Sequence, residues 1–430
     1  MQLDEFEIKA LFGKYNHTIS FPHRDENDPN PSLVILHGKN GIGKTTILKM
    51  IDGILKLDFN IFRSVPFKHS ILKFSNGEKI KVEFTKNSKE KTECLLVTYK
   101  RKKIYLNYYQ SGPLHENDRL KIDTFREEFH SKTNTINYEL INTERLTQKP
   151  DDDIEEYDAP HEIIVEGDTL IRRSFIHGRI PSRLKKRPLK RKPEKLSLKV
   201  RQFIGEAQVN YRNYFATTEP DLFPKILERI TEQKEKKYHA DEMLKRIELL
   251  SQRDRLTERF GLESERWNKN KLAEVLKKSK AKKVDSHAFM IIDSYLEYLE
   301  SKIAQRELIS NRLKTFEETL SSFITDKNIT IDSKEGLSIK TGEGQPLRES
   351  QLSSGEYHLL FLLVSSLVTK RSGTVIAIDE PEMSMHISWQ RKLVDAILKC
   401  ASMAQPQLIL ATHSPDIAAE YPDNLINLID

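Results

Sequence analysis

The segment HGKNGIGKTT, His37 to Thr46, sets Gly38, Gly43, Lys44 and Thr45 in the spacing G-x4-G-K-T, directly after the apolar run SLVIL (Ser32 to Leu36) and before a helix-like stretch from about Lys44 to Leu57. Glycines in such a turn let backbone N–H groups close around phosphate oxygens, and the helix that follows turns its positive dipole end on the same charge. Gly38, Asn40, Gly41, Gly43, Lys44, Thr45 and Thr46 are therefore candidate nucleotide-binding residues. Lys44 is placed to reach the β- and γ-phosphates, and the Thr45 hydroxyl to ligate Mg²⁺. A second apolar run, TVIAIDEPE (Thr374 to Glu382), ends in adjacent carboxylates, the Walker B form. Asp379 would hold the Mg²⁺, directly or through water, and Glu380 would polarise the attacking water. The expected ligands are ATP and Mg²⁺.

LSSGE, Leu352 to Glu356, opens an apolar helix and ends 23 residues before Asp379. At this point the sequence resembles the ABC-type ATPases, whose LSGGQ signature occupies that place. The resemblance implies that Ser353 and Gly355, at a helix N-terminus, contact the γ-phosphate of ATP bound to another subunit, so that the chain acts as a homodimer through its ATP sites or as a larger homo-oligomer. Ser354 and Glu356 stand where the family pattern has glycine and glutamine. LILATHSPD, Leu408 to Asp416, ends a third apolar run. On the same resemblance His413 is the switch histidine that touches the γ-phosphate. Ser384, Met385 and His386 fall where the family has its D-loop, and Gln110 and Gln148 are both candidates for its Q-loop.

These residues must be positioned by strand and helix ends. Gln2 to Lys9 and Thr18 to Phe21 read as short strands; Ser32 to Leu36, Val375 to Ile378 and Leu408 to Ala411 read as continuous apolar strands of the buried parallel kind. Alternation from Ser70 to Tyr109, with Asn76-Gly77 as a turn, predicts antiparallel strands beside the first motif. The stretch from there to about 180 is weakly patterned. From about Leu198 to Phe323 the composition predicts helices, and Ile309, Leu313, Phe316, Leu320 and Phe323 form an apolar seam suited to a helical hairpin or packed arm. A hairpin is expected around Gly336, and a helix over 354–370.

The 306 residues between Thr45 and Leu352 exceed what a transporter nucleotide-binding domain inserts there. The split resembles the SMC, RecF and OLD-like branch, where a helical arm interrupts the ATPase head, and Asn40 together with DEPE and ATHSP suits that branch. The expected fold is therefore α/β: an ABC-type P-loop ATPase head split by a helical, coiled-coil-like insertion. The expected division is 1–180 for the N-terminal lobe, 181–325 for a basic linker and the insertion, and 326–430 for the lobe with signature, Walker B and switch histidine. With 17 residues after His413, a TOPRIM nuclease of the OLD type is not expected here. Among stand-alone ATPases of this shape the sequence most resembles the ATPase subunits of PARIS phage-defence systems, with Septu-type defence ATPases next. That resemblance implies a sensor and scaffold that holds a separate nuclease or toxin subunit and releases it on a phage-encoded trigger. The alternative expectation is a DNA-repair or recombination ATPase of the SMC/RecF kind that clamps duplex DNA itself.

Composition narrows the surroundings. The 430 residues carry Lys+Arg 70 against Asp+Glu 64, a net charge of +6. Pro181 to Val200 alone holds nine Lys/Arg against Glu194, which leaves the remainder slightly acidic. This run is either a solvated linker or an electrostatic footprint for nucleic acid or an acidic protein. Two distant cysteines, Cys94 and Cys400, exclude a disulfide framework and a cysteine zinc site. The acidic start MQLDEFEIKA does not read as a signal peptide, and Leu359 to Val368 is too short to span a bilayer. A cytoplasmic protein with no membrane partner is expected.

Overall fold

The computed structural model describes residues 2–22, 32–86, 93–107, 116–133, 136–142, 162–166, 169–173, 195–231, 239–262, 267–281, 286–369, 373–401 and 405–428. The acidic stretch Asp151 to Asp158, most of the basic run, Gln110 and Gln148 lie outside them.

The apolar runs become strands of two main sheets. The N-terminal segments form β1 (Leu3–Leu11), β2 (Tyr15–Ser20) and β3 (Leu33–His37), followed by β4 (His69–Phe74), β5 (Lys79–Lys86), β6 (Glu93–Tyr99) and β7 (Lys102–Asn107). β2, β1, β4, β5, β6 and β7 pair in that order as an antiparallel sheet, as the alternation predicts. The weakly patterned region supplies a helix, Glu116–Thr133, then β8 (Asn137–Ile141) and a separate hairpin of β9 (Glu162–Glu166) and β10 (Thr169–Arg173). A smaller sheet of β11 (Lys327–Asp332), β12 (Gly336–Thr341) and β13 (Pro346–Leu347) contains the hairpin expected at Gly336. Finally β14 (Thr374–Asp379), β15 (Gln407–Thr412) and β16 (Leu425–Asn427) complete a five-stranded sheet, ordered β16-β3-β15-β14-β8, with every pair parallel.

That parallel sheet is covered on both faces, which is why β3, β14 and β15 read as unbroken apolar runs. Successive side chains of a strand point to opposite faces. Leu33, Ile35, Ile376, Ile378, Leu408 and Leu410 pack into one core with the helices Ser354–Val368 and Ile387–Ala401. Val34, Leu36, Val375, Ala377, Ile409 and Ala411 pack into another, with the helix Lys44–Lys56 and the antiparallel sheet. The Gln407 side chain ties the two sheets, accepting from the Leu3 N–H at 2.8 Å and donating to the Leu3 carbonyl at 3.0 Å.

The insertion is helical, as expected, and takes the packed form. Helices Leu196–Thr218, Leu222–Thr231, Ala240–Glu258 and Lys269–Ala281 lead into a 36-residue helix, Ser286–Ser321. Arg246 bonds Asp293 and Glu300, Arg253 bonds Glu307, Arg259 bonds Glu317, and Asp254 pairs with Arg306. Both partners rise in number together, so Ala240–Glu258 runs parallel to the long helix, and the chain returns through Lys269–Ala281. Met243, Ile247, Leu250, Leu276, Ile292, Leu296, Leu299 and Ile303 give this arm its own small core. The seam residues Leu313, Phe316, Leu320 and Phe323 do different work: they belong to the head core beneath the parallel sheet, with Ile309 packed against it. The seam is therefore the root by which the arm is embedded in the head. Buried Arg312 strengthens the root, donating through Nη2 to the carbonyls of Thr369 at 2.6 Å and Ser366 at 3.3 Å, where the Ser354–Val368 helix ends and its dipole is negative. Burial pushes the guanidinium down to about 10. Among the described residues no helix is long and apolar enough to cross a membrane.

Truncating the root should therefore loosen the whole molecule. Phe316→Ala, at a side chain with no solvent exposure, is expected to cost about 3–5 kcal/mol in urea unfolding. Leu308→Ala, at a 47% exposed position on the same helix, should change stability by less than about 0.5 kcal/mol.

Candidate functional site

Parallel pairing fixes where the candidate residues meet. His37 at the end of β3 lies opposite Thr412 of β15, Asp379 of β14 opposite Ala411, and Ile378 opposite Ile141 of β8. The carboxyl ends of these strands thus share one edge, the place where open parallel sheets bind ligands. The loop 38–43 leaves β3 at that edge and enters the helix Lys44–Lys56. Gly43 caps this helix in a left-handed conformation, φ 102°, and a Cβ there would stand 2.5 Å from Leu11 Cδ2. The left-handed backbone favours glycine, and any side chain there would also have to displace the Leu11 methyl. Gly41 is also left-handed, and Lys39, Asn40 and Gly41 are exposed.

Lys44 is buried and folds its ammonium back onto the loop, donating to the carbonyls of Gly38 at 2.7 Å and Lys39 at 3.1 Å. Burial lowers its pKa, opposed by the charges of Glu380, Glu382 and Asp379. The Thr45 hydroxyl donates to Asp379 Oδ1 at 2.9 Å, joining positions 334 residues apart. Burial raises the Asp379 carboxyl pKa, Thr45 works against the shift, and Glu380 adds to it. A buried carboxylate pushed toward neutrality beside a hydroxyl is a set of hard oxygen donors that a divalent cation would relieve. Among the described residues no cluster of three or more His, Cys, Asp or Glu could hold a metal unaided, so a Mg²⁺ here would complete its shell with phosphate and water oxygens. Thr46, the next residue of the helix, is half-buried.

Glu380 follows with φ 51°, a left-handed turn for a non-glycine residue, its N–H bound to the Ala411 carbonyl at 2.8 Å. The turn lifts its side chain to 38% exposure while Asp379 stays buried. Such strain costs on the order of 1–3 kcal/mol and persists where surrounding structure holds it. The His413 ring stands 4.0 Å from Glu380 Oε1 and 3.3 Å from Glu382 Oε1. Lys44, Thr45, Asp379, Glu380 and His413 are thus gathered at one edge.

Ser353 and Gly355 sit at a separate helix start. Ser353 caps the helix Ser354–Val368 in a capping box: its Oγ accepts from the Glu356 N–H, and Glu356 Oε2 accepts from the Ser353 N–H at 2.8 Å. Glu356 Oε1 takes Lys327 Nζ at 2.6 Å. Burial alone would raise the Glu356 carboxyl, but Lys327 and Ser353 together bring it below the usual carboxylate range. The departure from glutamine at this position is therefore absorbed inside the chain. Every residue from Gly355 to Leu367 is buried, whereas Ser353 and Ser354 are exposed. A Cβ on Gly355 would meet the Ser384 carbonyl at 2.4 Å, so the expected D-loop, where Ser384 is also left-handed and Met385 is buried, packs against the helix start.

Two features of this edge do not show in the sequence pattern. β8 borders Asp379 and ends at Ile141, followed by Asn142; NYELI lacks the apolar run that marked its neighbours. Glu382, 6% exposed, accepts the His413 N–H at 3.0 Å. Its presence in DEPE was visible, but not the turn that points it inward.

The sequence profile of the AAA_15 family, described as an AAA ATPase domain, matches residues 1–418. No curated protein matches the sequence closely enough to count as a relative. Among solved structures, the chain is similar to an Smc head domain with an extended coiled coil from Pyrococcus furiosus, bound to the C-terminal domain of ScpA, at 15% identity and a TM-score of 0.39 over 100% of this chain and 94% of that one. It is also similar to the SMC head domain from Thermotoga maritima, at 12% identity and a TM-score of 0.30 over 98% and 92%.

Proposed function

From the premise that the chain belongs to the AAA ATPase domain family AAA_15, and is therefore a nucleotide-binding ATPase, we propose that it works as an ATP-driven switch. The observation that carries this reading is the Thr45–Asp379 hydrogen bond with Glu380 and His413 beside it. On ATP binding, Lys44 exchanges the loop carbonyls for β/γ-phosphate oxygens, and the N–H groups of the loop from Gly38 to Gly43 and of Thr45 and Thr46 close around the phosphates. Thr45 and Asp379 are the residues that would hold Mg²⁺, which when bound neutralises charge developing on the phosphates. Glu380 accepts a proton from the attacking water, and His413 contacts the γ-phosphate.

The exposed Ser353 at a capped helix start suits the second half of such a site. Two chains would close over two ATP molecules, each presenting Ser353 and Gly355 to the nucleotide of its partner. Loss of γ-phosphate removes the contacts that hold the closed form, which makes hydrolysis a release step. The resemblance to PARIS ATPase subunits supports a defence role: a scaffold that holds a separate nuclease or toxin and frees it when a phage-encoded protein binds.

Glu380→Gln should trap ATP in a closed dimer, seen as an ATP-dependent doubling of mass in sedimentation. Lys44→Ala, the control, should bind no nucleotide. Unchanged turnover in Glu380→Gln would remove Glu380 from its role. For the output, co-expression with the product of the neighbouring gene should yield a stable complex with a nuclease and turnover indifferent to DNA. Tight, salt-sensitive duplex binding with DNA-stimulated hydrolysis would assign the chain to DNA repair or recombination instead.

A further inference from the structure

Glu382 is the carboxylate of the site left without a role. It is 6% exposed; its Oε1 accepts the His413 backbone N–H at 3.0 Å, and ring Nδ1 of the same residue stands 3.3 Å from it. Its Oε2 is buried with no hydrogen-bond partner among the described residues. The next residue, Met383, offers its carbonyl to Nδ1 of buried His358 at 2.6 Å, and His358 lies on the helix Ser354–Val368 that Ser353 caps. A carbonyl only accepts, so His358 donates through Nδ1. Burial lowers the His358 pKa, and the Met383 carbonyl and the Glu382 charge oppose this. The turn is tied at further points: Glu380 N–H to Ala411, Met385 N–H to the Glu382 carbonyl at 3.0 Å, and the Ser384 carbonyl against Gly355.

We infer that Glu382 is the positioning residue for His413, holding its imidazole with Nδ1–H toward the carboxylate and Nε2 toward the nucleotide, and that the turn Glu380–Met385 links this histidine to the helix capped by Ser353 through His358. A carboxylate only accepts, so a hydrogen at Nδ1 is the tautomer that suits this 3.3 Å approach. The same carboxylate fixes the backbone at His413, so ring and main chain cannot move independently. A displacement of His413 on phosphate loss thereby pulls on a turn whose next carbonyl is bonded to the helix that begins at the partner-facing Ser353.

The inference rests on reading His413 as the γ-phosphate contact, and the test separates the two. In the wild-type chain, ¹⁵N-imidazole NMR, with His413→Ala identifying the resonance, should show the Nδ1–H tautomer for His413. An Nε2–H tautomer would overturn the proposal whether or not ATP is turned over. Glu382→Gln should leave the affinity for a fluorescent ATP analogue within about twofold while lowering kcat about tenfold, the size expected for a charged hydrogen bond. Added to His413→Ala, it should slow turnover no further than about twofold, because the two residues act as one unit. Losses that multiply would overturn the coupling. A wild-type chain without turnover would sink the ATPase reading while leaving the tautomer measurement to decide the role of Glu382.

Discussion

The constraint on which the rest depends is the in-register parallel pairing of β3, β15, β14 and β8. The motifs belong to segments separated by hundreds of residues, and nothing local could bring Thr45 to Asp379. Pairing does so, because each strand contributes its carboxyl end to one edge. A shift of one residue in β14 would exchange the faces of Ile376 and Ile378 with those of Val375 and Ala377 and carry Asp379 away from Thr45. Two cores, one on each face, oppose that slip, since each buried aliphatic side chain contributes about 1.5–3 kcal/mol. The register that builds the site is thus held by packing remote from it.

Burial and charge are then balanced at the edge. Asp379 and Lys44 are both pushed toward their neutral forms by burial. Lys44 spends its hydrogens on the carbonyls of Gly38 and Lys39, and Asp379 accepts one hydroxyl. Phosphates and a divalent cation would satisfy both groups better than these stand-ins do. The left-handed Glu380 separates two adjacent carboxylates, one turned into the protein and one toward solvent. The arm joins the same framework through Phe316, Leu320 and Arg312, the last on the carbonyl end of the helix that Ser353 begins. Both ends of that helix are therefore fastened, one to the turn beside Asp379 and one to the arm.

Much of this was legible in the sequence where chemistry and periodicity coincide. SLVIL, TVIAID and LILAT are apolar because both sheet faces are covered, and each is followed at once by its polar residues, so strand, motif and site could be read together. The Ser353 cap shows in the spacing of serine and Glu356. β8 was not legible: it borders the sheet, and Asn137 and Glu139 interrupt its pattern. β16 has three residues and pairs, among the described residues, with β3 alone. The seam from Ile309 to Phe323 was visible as a stripe, but a stripe does not say whether it faces another arm helix or the head. Glu382 was hidden for a related reason, since its direction depends on a turn that propensity does not describe.

An ATP switch at this edge requires Thr45 and Asp379 to act together on the nucleotide. The direct measurement is a double-mutant cycle, Thr45→Val with Asp379→Asn, on ATP affinity by calorimetry with and without Mg²⁺. Each single change is expected to remove most of the Mg²⁺-dependent affinity and the double variant to lose little more, a coupling of about 1 kcal/mol or above. Losses that simply add, or an affinity indifferent to Mg²⁺ in the unaltered chain, would contradict it.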